Sequence, residues 1–79
     1  MNQQDHRARE ETLRLITEAV TAHPGGMTRT QIARAIERTK TPHLINLIES
    51  LVDTGVLRRQ VKVFGNGVEG YIYHTQTTT

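Results

Sequence analysis

Apolar residues recur at helical spacing at Leu13, Ile16 and Val20, with Leu15, Ala19 and Ala22 widening the stripe, so the pattern predicts a first helix from about Asp5 to Ala22. It should stop at His23-Pro24-Gly25-Gly26, because the residue before proline is pushed out of the helical region and two glycines follow. A second helix is expected from Arg29 to about Glu37, burying Ile32, Ala35 and Ile36. Its start is marked by Thr28-Arg29-Thr30-Gln31, a capping box in which hydroxyl and amide satisfy two otherwise unpaired backbone donors, with Met27 and Ile32 placed as a hydrophobic staple. The third helix begins at the N-cap Thr41, with Pro42 in the first turn where its missing N–H costs nothing. Leu44, Ile45, Leu47, Ile48, Leu51 and Val52 form its apolar face, and Gly55, after Asp53-Thr54, suits the left-handed position that ends it.

Beyond Gly55 the period changes. Two runs rich in β-branched and aromatic residues, Val56 to Phe64 and Val68 to Tyr73, flank Gly65-Asn66-Gly67 and read as a β-hairpin. Leu57, Val61 and Val63 fall on one face of the first run and Arg58, Gln60, Lys62 and Phe64 on the other, so the valine face is expected to pack on the helices. The reading is an α+β chain of one domain, residues 1–79, with its core at about 5–74 and mobile termini; the tail Thr75 to Thr79 has no apolar anchor.

Composition narrows the function more by exclusion than by assertion. With 35% hydrophobic and 23% charged residues the chain can form a small core. It has no cysteine, which excludes disulfides, thiolate-ligated metals and a cysteine nucleophile and points to the cytoplasm. No apolar run reaches the roughly 20 residues of a membrane span, and the polar start Met1-Asn2-Gln3-Gln4-Asp5 does not resemble a signal peptide. The net charge is only +2 but it is unevenly placed. Up to Met27 there are three basic and four acidic residues, net −1; from Thr28 there are seven and four, net +3, so any polyanion contact should lie in the second part.

The segment from Met27 to Arg59 carries a family resemblance. Met27-Thr28-Arg29-Thr30-Gln31-Ile32-Ala33-Arg34-Ala35-Ile36 leads through a turn to Leu44, Leu47, Ile48 and Leu51 and then to Asp53-Thr54-Gly55-Val56-Leu57-Arg58-Arg59. This resembles bacterial and archaeal winged helix-turn-helix regulators of the MarR-like and ArsR-like groups, over roughly Met27 to Tyr73. The resemblance implies a winged helix that binds double-stranded DNA as a transcriptional regulator, with the third helix in the major groove and the hairpin on the backbone. Candidate base contacts are Thr41, Pro42, His43, Asn46 and Ser50, since asparagine can pair bidentately with adenine and hydroxyls both donate and accept. Candidate backbone contacts are Arg29, Arg34, Arg38, Lys40, Arg58, Arg59 and Lys62.

The chain departs from that family's pattern on its third helix. Its third helix has no arginine, where many members carry one near Asn46, and Glu49 and Asp53 bring negative charge to the face that should meet DNA. The same residues fit plainer readings: His43, Asn46 and Ser50 as a solvated helix face, Arg29, Arg34 and Arg38 as solubility charges, and Arg58, Arg59 and Lys62 as edge-strand charges against aggregation. Phe64, Tyr71 and Tyr73 read as core or cross-strand packing. His6, His23, His43 and His74 contain no metal-binding pair, Gly65-Asn66-Gly67 does not precede a helix, and no cofactor, catalytic group or small-molecule substrate is indicated. The alternative function is a winged helix used for protein contacts, as an interaction module or accessory subunit without DNA binding. An isolated domain of this size would hold a single half-site weakly, which favours a homodimer through the first helix or the hairpin.

Overall fold

In a computed structural model, which describes residues 3–76, the chain forms three helices followed by one antiparallel hairpin. The elements are α1 (Gln3–Thr21), α2 (Arg29–Ala35), α3 (Pro42–Asp53), β1 (Leu57–Val63) and β2 (Glu69–Thr75). No helix among the described residues is long and apolar enough to cross a membrane.

The helix starts are set by side chains. At α2 the Gln31 N–H donates to the Thr28 hydroxyl at 3.1 Å and the Thr28 N–H donates to the Gln31 side-chain oxygen at 2.9 Å, which completes the capping box. At α3 the Leu44 N–H donates to the Thr41 hydroxyl at 3.2 Å, and Pro42 occupies the first turn. Thr28→Ala should therefore lower stability by about 1 kcal/mol, read as a lower urea midpoint. An unchanged midpoint would mean that the box contributes nothing.

The ends of α2 and α3 share one device. The Val56 N–H reaches back to the Leu51 carbonyl and the Gly55 N–H to that of Val52, with Gly55 at φ +84°. The same pair of bonds closes α2, from Arg38 to Ala33 and from Glu37 to Arg34, but the left-handed residue there is Glu37 at φ 57°. Hence α2 stops at Ala35, two residues short of the expected Glu37. In so short a helix the inward stripe is Ile32, Ala33 and the partly buried Ile36; Ala35, expected inside, is exposed.

The turn after α1 is tied to the sheet. Met27 exchanges both backbone hydrogen bonds with Tyr73, at 3.0 and 2.8 Å, and so lines the edge of β2 away from β1. Gly26, at φ +92°, lies so close that a Cβ there would come within 2.3 Å of Ile72 Cγ2. One core joins all five elements: Ile16 and Val20 of α1, Met27, Ile32 and Ala33, Leu44, Leu47, Ile48 and Leu51 of α3, Leu57 of β1 and Tyr73 of β2. Ala22, at the expected inner stripe of the first helix, lies past its last turn and is exposed.

The hairpin corrects one expectation. Only Leu57 of the Leu57, Val61 and Val63 face is buried; Val61 and Val63 are 58% and 62% exposed. A strand advances about 3.3 Å per residue, so Val63 stands roughly 20 Å from Leu57, about twice the width of a helix. The distal half of the hairpin projects past the helices that cover its proximal half. Thr75, assigned to the free tail, pairs with Leu57, and the Gln76 N–H bonds to the Val56 carbonyl. Gln3 and Gln4, assigned to the mobile start, belong to α1, and the rest of the expected mobile ends, residues 1–2 and 77–79, lies outside the described residues.

Candidate nucleic-acid interface

A strand with period two places Arg59 on the same side as Leu57, facing the helices. Across the hairpin its partner is Tyr73, and Tyr71 follows on the same face opposite Val61. From α3 the side chain of Glu49, 24% exposed, points into this corner, and from the first turn of α2 comes Arg29. The result is a closed network. Arg29 Nη2 donates to Glu49 Oε2 at 3.0 Å and Arg29 Nε donates to the Tyr73 hydroxyl at 2.9 Å. The Tyr73 hydroxyl donates in turn to Glu49 Oε2, and Arg59 Nη1 donates to Glu49 Oε1. Both guanidinium groups also lie over the Tyr71 ring, Arg29 at 5.1 Å and Arg59 at 4.7 Å from its centroid.

This corner sets two guanidinium groups against one carboxylate, a net charge of +1. Burial by itself pushes the Glu49 carboxyl up, but the Tyr73 hydroxyl, Arg29 and Arg59 outweigh it and hold the group below its usual value. Burial and the adjacent carboxylate push the Tyr73 hydroxyl up to about 12. Burial lowers the Arg29 guanidinium, but its bonds to Glu49 and Tyr73 prevail and raise it.

The structure divides the sequence-derived candidates. On α3, Pro42, His43 and Asn46 are exposed, Ser50 is half-buried, and the Thr41 hydroxyl is occupied by its cap bond. Glu49, expected on the exposed face, is turned towards the hairpin, whereas Asp53 is exposed. Of the cations, Arg29 and Arg59 belong to the network. Arg34, Arg38, Lys40, Arg58 and Lys62 are exposed and form no ion pair among the described residues. Lys40 reaches across the turn to the Thr30 hydroxyl at 3.1 Å, which brings the end of the turn beside the start of α2. The pleat puts Arg58 and Lys62 on the hairpin face opposite Arg59, opposite His74 and Gly70 of β2.

Glu49, Tyr71 and Tyr73 as a polar network were not anticipated. One signal was available: the alternation that puts Leu57 inward puts Arg59 inward too, and a guanidinium facing the body of a small domain needs a carboxylate. Among the described residues no cluster of His, Asp or Glu could hold a metal ion, and no buried side-chain polar atom lacks a partner. The chain has no significant match to a protein-family model, to a curated protein or to a solved structure.

Proposed function

We propose that this domain binds double-stranded DNA as a winged helix-turn-helix protein, in the role of a transcriptional regulator, with α3 in the major groove and the hairpin as the wing on the backbone. The observation that carries this reading is the state of Glu49. In sequence it is an acid on the face that should meet phosphate; in the fold two arginines and a tyrosine hydroxyl neutralise it and draw it aside. The exposed polar groups left near the head of α3 are His43 and Asn46, with the exposed cations Arg38 and Lys40 in the turn before it, neither in an ion pair among the described residues. The element order supports the reading further, since three helices lead into a hairpin to which Met27 adds a third backbone pairing.

A titration of random-sequence duplex DNA by fluorescence anisotropy at several salt concentrations tests this. Affinity should fall steeply with salt, and alanine at Arg38, Lys40 and Lys62 together should flatten the log–log slope by roughly one unit for each phosphate that is no longer neutralised. Asn46→Ala should keep the slope and alter only the preference among sequences. If the parent has no salt-sensitive affinity, the protein-contact reading takes over. One observation favours that second reading: Val61, Val63 and Val68 are each more than half exposed on the projecting hairpin.

A further inference from the structure

Backbone hydrogen bonds fix which edge of the hairpin is open. Tyr73 uses both its N–H and its carbonyl on Met27, at 2.8 and 3.0 Å, so the outer edge of β2 is occupied there. Backbone groups alternate in direction along an antiparallel strand. Arg59, opposite Tyr73, therefore points its N–H and carbonyl away from β2, and Val61 and Val63 do the same. None of these groups has a backbone partner among the described residues, and β2 is the sole strand beside β1. Such an edge is a template for a further strand. On one face of it Val61 and Val63 are 58% and 62% exposed, and on the other Arg58, Gln60 and Lys62 are exposed.

We propose that β1 pairs with β1 of a second copy of this chain, antiparallel about a two-fold axis at Val61, so that two hairpins join into one four-stranded sheet. The side chains make the strand complementary to itself in this register. With Val61 opposite its own copy, Gln60 meets Lys62 of the second copy and Arg58 meets Phe64, so no like charges stand opposite one another. A slide of two residues one way sets Arg58 against Lys62, and the other way sets Lys62 against Lys62, both of which are repulsive. On the opposite face Val61 meets Val61 and lies diagonal to Val63 of the second copy, which takes from water the valines that neither copy covers alone. Antiparallel pairing also keeps the helical bodies apart. Leu57, the buried end of β1, falls opposite Gly65 of the second copy, where there is no side chain to accommodate. Association stops at two, because a two-fold contact uses the same edge of both copies and Met27 occupies the outer edge of β2. The pairing does not depend on the DNA-binding reading above.

Sedimentation of the full chain tests this. An interface of one strand pair is at the small end of the range, so a monomer–dimer equilibrium with a Kd of about 100 μM is expected. Gln60→Glu faces Lys62 with a carboxylate twice in the dimer and should tighten it about fivefold; Gln60→Lys sets two like charges opposite at both places and should loosen it about fivefold. Val61→Lys, which puts two ammonium groups on the axis, should loosen it at least about tenfold. All three positions are exposed, and parental urea midpoints at low protein concentration report an intact fold. In a sample mixed from two isotope labellings, an intermolecular Hα–Hα contact should join Gln60 to Lys62, since these two form a non-hydrogen-bonded pair. A chain that stays monomeric at about 1 mM would overturn the pairing. So would a dimer that the variants leave unmoved or that lacks the Gln60–Lys62 contact, since its surface would then lie elsewhere. Tightening by Gln60→Lys would overturn the register.

Discussion

Ile48→Ala should destabilise the domain by about 4 kcal/mol. Ile48 is fully buried in the middle of α3, within the one cluster to which every element contributes. Truncation removes the transfer free energy of three carbons and leaves a cavity, and such changes cost about 2–5 kcal/mol. The upper half of that range applies because the site is bounded by helices and sheet together, which gives the surroundings little room to collapse. For a domain of this size the whole stability is roughly 4–12 kcal/mol, so the variant should be near or past its limit. Ile48→Val, which keeps the β-branch, should cost only about 1 kcal/mol. Val63→Ala should cost less than about 0.5 kcal/mol, since Val63 is 62% exposed. Urea unfolding at neutral pH orders the three. Equal midpoints for Ile48→Ala and the parent would mean that α3 is rotated from the orientation described.

Local rules made the helix boundaries legible in the sequence, where a few adjacent residues decide the outcome. Thr28 with Gln31 and Thr41 with Pro42 are contained within four residues or fewer, and both starts stand where the sequence places them. Gly55 likewise ends α3 by the only backbone conformation that favours glycine. Glu37 was illegible for the complementary reason: it adopts the left-handed conformation without being glycine or asparagine, because the closure of α2 onto the turn requires it there. The hairpin failed in a different way. Alternation correctly groups Leu57, Val61 and Val63 on one face, but how far the helices extend beneath that face is a tertiary fact with no trace in a strand of seven residues.

The candidate interface was legible as a list of charges and not as an arrangement. Composition places Arg29, Glu49 and Arg59 in the basic part of the chain, and the resemblance assigns the two arginines to phosphate. What decides their role is that residues twenty and ten positions from Glu49 meet it in one corner. Such non-local pairings arise from packing of α2, α3 and the hairpin around the core, and only the inward parity of Arg59 hints at them.

Glu49→Ala should lower stability by about 2–3 kcal/mol, as much as a core truncation of moderate size. The substitution strands three donors at once: the hydroxyl of Tyr73, a fully buried residue, the guanidinium of Arg29, and that of the more exposed Arg59, which water can serve. Glu49→Gln keeps one acceptor oxygen and should fall between variant and parent. The acid limb supplies a second readout. Because the folded-state carboxyl is held below its ordinary value of 4.5, its contribution is complete above that value and is lost as pH falls through the lower folded value. The parent should therefore lose urea resistance below about pH 4.5 more steeply than Glu49→Gln, in which this group cannot titrate. The alkaline limb runs the opposite way. Tyr73 is raised from 10.0 to about 12, so its contribution is complete below pH 10, is lost as pH rises through about 12, and disappears in Tyr73→Phe; tyrosinate absorbance in a Tyr71→Phe background follows it directly. Were Glu49 only an acid on a solvated face, Glu49→Gln would leave stability unchanged at every pH and simply raise DNA affinity by removing a repulsion. In the network described here the same substitution loosens α3 from α2 and both strands, so that stability falls and DNA affinity does not rise.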